Sequence, residues 1–222
     1  MTKNVLLFAC LASCVCSFAA AQGDAKSGTV DFNDFKPSKI VTPIFSEILE
    51  LPFPEGFVGA SARTHNDFYI NEMVLKGETV DHWSQMITQT GRKGMSLRQN
   101  VSPEGYISAM AGGFKRACPD TFFSRGLGAT TISGHDAFVA FVSCGTVASE
   151  TNAHSESTLF VCIKGTEDYY TLQWAERGPA SGQPIVYDVA KWGERLKKLS
   201  SVKTAPLTPA ETTPNPSGDD QR

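Results

Sequence analysis

The chain has 222 residues, of which 41% are hydrophobic, and its formal net charge is −3. This charge gives no electrostatic reason to expect binding to nucleic acid. The central part, residues 44–199, has a length that suits one domain with one core.

The first 21 residues have the layout of a secretory signal. Lys3 precedes an apolar run over residues 5–12, and small residues follow up to Ala21. This layout predicts cleavage between Ala21 and Gln22, followed by export to the periplasm or beyond. The run is too short to serve as a membrane-spanning helix.

A bacterial lipoprotein signal is the alternative for the same segment. Residues 11–14 resemble a lipoprotein box, in which Cys14 would carry the lipid. Residues 15–21 remain apolar, however, whereas a lipidated cysteine is normally followed by a polar tether. Ordinary cleavage is therefore favoured, and membrane contact is expected only through this possible lipid anchor.

Two further segments flank the central domain. Residues 22–43 are mostly small, polar and charged, which predicts a flexible leader. Residues 200–222 are rich in Thr, Pro, Ser and Asp and cannot bury enough apolar surface to fold. We expect this tail to be disordered.

The first half of the domain is predicted to hold three strands and a helix. The strands are placed at residues 45–51, 57–63 and 68–75, because branched, aromatic and alternating apolar residues cluster there. Apolar residues then recur at helical spacing after Thr79, which predicts a helix over residues 79–90.

A second helix is predicted to begin after Ser102. Ser102 suits a helix cap, Pro103 suits the first turn, and Glu104 places an acid near the helix N-terminus. The apolar residues that follow reach Cys118, and Pro119 ends the helix. The loop before this helix carries Arg92, Lys93 and Arg98, and it is the best-placed candidate for an interaction loop.

The second half of the domain is predicted to hold four strands and a final helix. Residues 122–132 and 137–147 are the first two strands. A β-hairpin follows, with strands at residues 157–163 and 169–175 joined by a polar turn. The last predicted element is an amphipathic helix over residues 184–199. Its inward residues are Val186, Val189, Trp192, Leu196 and Leu199.

Consecutive hairpins favour an antiparallel sheet, and the helices must cover its faces. We therefore predict an α+β fold, with an antiparallel sheet of about six to seven strands and helices packed on it in a three-layer sandwich. At fold level this order of elements is similar to the PsbP/Mog1 class of domains.

The chain also resembles a family of small secreted proteobacterial proteins of uncharacterised function, over residues 58–199. The residues that carry the resemblance are Trp83, Met86-Ile87-Thr88, Cys118-Pro119, Cys144, Glu156, the run Ile163-Lys-Gly165-x-x-Asp168-Tyr-Tyr170, and Trp192. The resemblance implies an exported domain with a disulfide, and it implies no activity.

Three cysteines remain after removal of the signal, namely Cys118, Cys144 and Cys162. An odd number in an oxidising compartment allows one internal bridge and a leftover thiol. With the disulfide that the resemblance implies, we expect a bridge between Cys118 and Cys144. A bridge between Cys144 and Cys162, across neighbouring strands, is the alternative.

The sequence assigns no catalytic, cofactor-binding or metal-ligating residue. The four histidines lie outside the usual metal-ligand spacings, and no G-x-S-x-G motif occurs. His154 near Glu156 would be the place for a surface metal, but turn histidines are usually solvated. Cys144 with His154 would be the place for a thiol and a base, but a catalytic thiol would have to stay reduced after export.

These observations favour an exported, non-catalytic binding or accessory module of the bacterial envelope, with an envelope or extracellular protein as its partner. No cofactor is expected. The alternative is a secreted hydrolase with a cysteine or serine nucleophile.

Overall fold

Ten strands and two helices form in the computed structural model, which describes residues 39–147 and 153–208. The strands are β1 (Lys39–Ile44), β2 (Glu47–Pro52), β3 (Phe57–His65), β4 (Phe68–Leu75), β5 (Gln85–Arg92), β6 (Phe122–Ile132), β7 (His135–Val147), β8 (His154–Lys164), β9 (Tyr169–Pro179) and β10 (Lys203–Pro206). The helices are α1 (Pro103–Ala117) and α2 (Val189–Ser200). Neither helix of the described part is long and apolar enough to cross a membrane.

Seven strands make the large sheet, in the order β3-β4-β5-β9-β8-β7-β6. Every neighbouring pair in it is antiparallel. The second sheet is small and has the order β1-β2-β10. The predicted α+β class, with an antiparallel sheet of about seven strands, is confirmed.

The two faces of the large sheet are covered by different layers. Side chains alternate along β8, so that Leu159 and Val161 join the core under α2 and the small sheet, whereas Phe160 and Cys162 join the core under α1. Both faces of β7 and β8 are covered, and most side chains along both strands are buried.

The start of α1 follows the predicted cap. The Ser102 side chain accepts a hydrogen bond from the Gly105 N–H at 3.0 Å, and Pro103 occupies the first turn. Lys115 and Arg116 lie in the last turn, where cations are favourable, and Cys118 caps the C-terminal end before Pro119. This helix is confirmed.

The final helix is shorter than predicted. It begins at Val189 because the Asp188 side chain accepts hydrogen bonds from two backbone N–H groups of the first turn. Trp192 and Leu199 are buried, but Val186 and Val189 are 64% and 67% exposed, so their predicted inward orientation is wrong. The Arg195 guanidinium lies 4.5 Å from the centre of the Trp192 ring of α2 and 5.3 Å from that of the Trp174 ring of β9. These cation–π contacts hold the helix against the large sheet.

The helix predicted over residues 79–90 is wrong. Residues 85–92 form β5, which pairs with β4 on one side and β9 on the other. The Thr79 hydroxyl accepts a hydrogen bond from the His82 N–H, and therefore closes a turn rather than a helix cap. Pairing on both sides satisfies the whole backbone of the segment, and this outweighs a helical spacing that β-branched residues support poorly.

The first predicted strand, residues 45–51, is confirmed as β2 but begins two residues later, at Glu47. Phe45 has φ of 54° and lies in the tight turn between β1 and β2, so the segment is a hairpin. β1 begins at Lys39, inside the predicted leader, and β10 lies inside the predicted tail. Both strands pair with β2. The domain therefore extends beyond residues 44–199 at both ends.

The predicted signal, with Cys14, Ala21 and Gln22, lies outside the described residues. The same is true of most of the leader and of the end of the tail. Those assignments stay predictions.

Candidate functional site

A bridge between α1 and the large sheet marks one end of the molecule. The sulfur atoms of Cys118 and Cys144 lie at disulfide distance, and their Cα atoms are 5.7 Å apart. Cys118 caps α1 and Cys144 lies near the end of β7, so the bridge ties the helix to the sheet. This is the expected pair.

The alternative pair does not form. In the register of β7 with β8, Cys144 lies opposite Glu156 and Cys162 lies opposite Phe138. The two cysteines are therefore several residues apart along the sheet and cannot be bridged. Cys162 is a fully buried free cysteine, and burial raises the pKa of its thiol. A buried thiol of raised pKa is chemically inert.

An open groove runs along α1 beside the bridge, with a volume of about 300 Å³. We call it the disulfide groove. Its lining residues are Met110, Gly113, Phe114 and Ala117 of α1, Cys144 and Val147 of β7, and Glu156 of β8. All of them except Glu156 present apolar surface.

The glycine at position 113 keeps this groove wide. A Cβ built there meets Arg116 Nη2 at 3.9 Å, in ordinary contact, and no other atom lies closer. A larger side chain at this position would therefore project into the groove without straining the backbone. Gly112 also lies in α1 but does not line the groove, and a Cβ there meets Arg116 Nη1 at 3.5 Å.

The charged groups at the mouth of the groove are paired with each other. Arg177 Nε donates to Glu156 Oε2 at 3.2 Å, and His154 Nε2 lies 3.8 Å from the same oxygen. The Arg177 guanidinium also lies 3.9 Å from the centre of the Trp83 ring. The edge of the groove is therefore polar, with its charges paired, whereas the rest of the lining is apolar.

Several residues of the family resemblance meet at this groove. Cys118, Cys144, Glu156 and Trp83 come from four separate elements or loops, and Arg177 joins Glu156 to Trp83. Arg177 was not predicted as a site residue, although its position opposite Glu156 follows from extending the predicted hairpin by a few residues. Within residues 39–147 and 153–208, no group of three His, Cys, Asp or Glu side chains could hold a metal ion.

The Gly165-x-x-Asp168-Tyr-Tyr170 run of the resemblance lies at the other end of the β8–β9 hairpin. Asp168 is 1% exposed and accepts hydrogen bonds at both carboxylate oxygens. Its Oδ2 accepts from Ser46 N–H at 3.0 Å, from the Ser46 hydroxyl at 2.6 Å and from the Tyr170 hydroxyl at 3.2 Å. Its Oδ1 accepts from Gly94 N–H at 2.6 Å. We call this arrangement the Asp168 clasp.

The clasp is packed as well as hydrogen-bonded. A Cβ built at Gly165 would lie 2.5 Å from Glu47 Oε2 and 2.5 Å from Tyr170 Cε2, so only glycine fits there. Glu47 is 2% exposed and accepts a hydrogen bond from Thr166 N–H at 3.0 Å. Burial is the main cause that raises the pKa of the Tyr170 phenol. The atoms around Gly165 are therefore tightly packed.

No family model matches the chain, and no curated protein matches it. Solved structures match the chain over about three quarters of its length at low sequence identity. LpqN, involved in cell envelope biogenesis of Mycobacterium tuberculosis, is 10% identical with a TM-score of 0.37, over 77% of this chain and 93% of LpqN. The Ran-binding protein Mog1p of Saccharomyces cerevisiae is 12% identical with a TM-score of 0.42, over 75% of this chain and 94% of Mog1p.

A mutant of the protein Mog1 is 13% identical with a TM-score of 0.39, over 73% of this chain and 86% of that chain. Identities and scores of this size are too low to carry a partner or an activity from those proteins to this one. Any function has to be argued from the residues of this chain.

Proposed function

We propose that this chain is an exported, non-catalytic binding module, and that the disulfide groove receives an apolar side chain of an envelope or extracellular protein. The observation that carries the proposal is an open apolar groove in which the one carboxylate among the described lining residues, Glu156, is already paired with Arg177. Burial of the apolar lining favours an apolar occupant. Because Glu156 is already paired with Arg177, the groove does not require a charged group from the occupant.

The size of the groove supports a small occupant. A volume of about 300 Å³ is at the lower limit of ligand pockets, which favours one large side chain over an extended ligand. The bridge ties the α1 wall of the groove to the β7 wall. The groove is therefore already ordered, and binding costs little conformational entropy in the protein.

The cysteines do not favour the hydrolase alternative. Cys144 is in the bridge, and Cys162 is buried with a raised thiol pKa. Neither therefore presents a thiolate to a substrate.

The groove is tested with the neutral apolar fluorophore N-phenyl-1-naphthylamine. We expect its fluorescence to rise on binding to the purified mature protein, and Gly113→Met to weaken this binding by at least about tenfold because the new side chain fills the groove. Gly112→Met is the matched control, with the same change in the same helix. Equal binding by both variants would contradict the proposal.

Export and the bridge are tested by the intact mass of protein recovered from cells, after free thiols have been alkylated in denaturant. We expect a chain that begins at Gln22 and carries one alkylated cysteine. A mass that begins at lipidated Cys14 would place the module on a membrane leaflet, and three alkylated cysteines would exclude the bridge.

A further inference from the structure

The loop between β5 and α1, residues 93–101, is anchored at both ends. We call it the pinned loop. Near its start, Met95 packs against the core under α1. At its end, Val101 packs against the same core, and the Val101 carbonyl accepts a hydrogen bond from the Tyr169 hydroxyl at 2.7 Å. The ends of the loop are therefore part of the domain core.

The first half of the loop is also hydrogen-bonded to the turn that carries Asp168. Gly94 N–H donates to Asp168 Oδ1 at 2.6 Å, and the Ser96 hydroxyl donates to the Asp168 carbonyl at 2.7 Å. Ser96 N–H also donates to the Glu167 carbonyl at 3.0 Å. The buried carboxylate of the clasp thus fixes the conformation of an exposed loop.

This fixed loop holds an apolar side chain in water. Leu97 is 69% exposed, the largest value among the large hydrophobic residues of the described chain. The hydrogen bonds of Ser96 fix the backbone that immediately precedes Leu97. A single exposed leucine on a mobile loop would need no explanation, but one that a buried clasp holds outward is positioned for contact.

The charges beside Leu97 are basic. Lys93 and Arg98 are exposed on the loop, whereas Arg92 is committed to Asp67 at 3.0 Å. Glu167, on the adjoining turn, is also exposed, and its backbone carbonyl accepts the hydrogen bond from Ser96 N–H. The loop itself carries two cations and no acid, on a chain whose formal net charge is −3.

We propose that the pinned loop is a second docking surface, and that it fits a partner protein with an apolar pocket for Leu97 and carboxylates facing Lys93 and Arg98. Two cations attract an anionic membrane by only about 1 kcal/mol each, which is weak for a stable anchor. A fluid membrane also gains nothing from fixed loop geometry, whereas a protein pocket does. The loop lies at the clasp end of the β8–β9 hairpin, and the disulfide groove lies at the other end.

The test begins with a photo-crosslinking residue, p-benzoylphenylalanine, placed at position 97 of the full chain in the native cells. The same residue at position 189 is the control, because Val189 is 67% exposed on α2. We expect a protein adduct from position 97 and none from position 189.

The captured protein is then purified and its affinity is measured against variants of the mature chain. We expect Leu97→Ser, and separately Lys93→Glu with Arg98→Glu, to weaken binding by about tenfold or more, and Val189→Ser to leave it unchanged. Added salt should weaken binding to the wild type more than to the charge-reversed variant. All the substituted side chains are exposed, so the variants should fold.

Four results would overturn the proposal. Two of them concern crosslinking: no adduct at position 97, or an adduct between two copies of this chain. The third is an affinity that Leu97→Ser, Lys93→Glu and Arg98→Glu leave unchanged. The fourth is sedimentation with vesicles of phosphatidylglycerol and phosphatidylcholine that depends on Leu97. The fluorophore assay on the disulfide groove is independent of all four, so a failure here leaves that function to be decided by its own test.

Discussion

The two ends of the β8–β9 hairpin use a carboxylate in opposite ways. At one end Asp168 is 1% exposed and accepts hydrogen bonds from Ser46, Gly94 and Tyr170. At the other end the Glu156 side chain is 20% exposed, pairs with Arg177, and borders an open groove of about 300 Å³.

Asp168 and Glu156 both belong to the family resemblance, but their surroundings suit them to different roles. A buried carboxylate whose oxygens are all engaged has no capacity left for a ligand, and its removal leaves buried donors unpaired. A partly exposed, ion-paired carboxylate contributes less to stability, and the apolar open space beside it is available to an occupant. We therefore assign the clasp to folding, whereas the groove is the place where we propose that binding occurs.

The largest expected effect is at the clasp. Asp168→Ala removes the acceptor of the Ser46 N–H, the Ser46 hydroxyl and the Gly94 N–H, and leaving a buried donor unpaired costs about 1–3 kcal/mol. We expect the free energy of unfolding to fall by about 3 kcal/mol or more in urea denaturation. Glu156→Ala is the matched change at the open end and should cost less than about 1 kcal/mol. Equal losses at the two ends would break the comparison.

Removal of the bridge should come next. The two cysteines are 26 residues apart in sequence, and a loop of this size corresponds to about 3 kcal/mol in the chain-entropy model. We expect the double variant Cys118→Ala with Cys144→Ala to lose about this much in the free energy of unfolding. Reductant should lower the stability of the wild type to a similar value and leave the double variant unchanged. A reductant effect that persists in the double variant would argue against the bridge.

One added methyl group should have opposite effects at the two ends. Gly165→Ala places a Cβ 2.5 Å from Glu47 Oε2 and Tyr170 Cε2, and overpacking of this kind costs about 1–3 kcal/mol. Gly113→Ala meets only ordinary contact, and it should raise stability by up to about 1 kcal/mol through helix propensity. Thermal unfolding of both variants decides the matter, and a stabilising Gly165→Ala would show that the clasp is not tightly packed.

A smaller effect is expected at alkaline pH. Burial raises the pKa of Tyr169, beside the clasp, to about 12. Because this exceeds the unfolded value of about 10, the contribution of Tyr169 is complete below pH ~10 and is lost as the pH rises toward about 12. We expect Tyr169→Phe to flatten the alkaline fall in the free energy of unfolding and to remove one late-titrating phenol from the absorbance titration. Identical titrations of the two proteins would contradict the burial.

Local signals explain which parts of the fold could be predicted from sequence. The β8–β9 hairpin and α1 carry their own turn and cap residues, Gly165 and Ser102, so they were predicted correctly. β5 was misread because Met86, Ile87 and Thr90 suit a helical spacing, and only pairing with two distant strands makes the segment a strand. β10 was missed because its short polar sequence becomes a strand only against β2.

The groove could be predicted only in part. Glu156, Cys118 and Cys144 were singled out from the sequence, and the structure brings them to one place. The open space depends on how α1 crosses the sheet, and a sequence does not show that crossing. Gly113 was the available signal, because a glycine inside a helix can mark a place where space is kept open.

The most direct measurement is a methyl NMR spectrum of the mature protein, labelled at the methionine methyl groups, with and without N-phenyl-1-naphthylamine. Met110 lines the disulfide groove, whereas Met73 is 3% exposed in the core on the opposite face of the sheet. We expect the Met110 signal to shift in a saturable way and the Met73 signal to stay in place. A fluorophore that shifts Met73, or that leaves Met110 unmoved while binding elsewhere, would contradict a binding site in the groove.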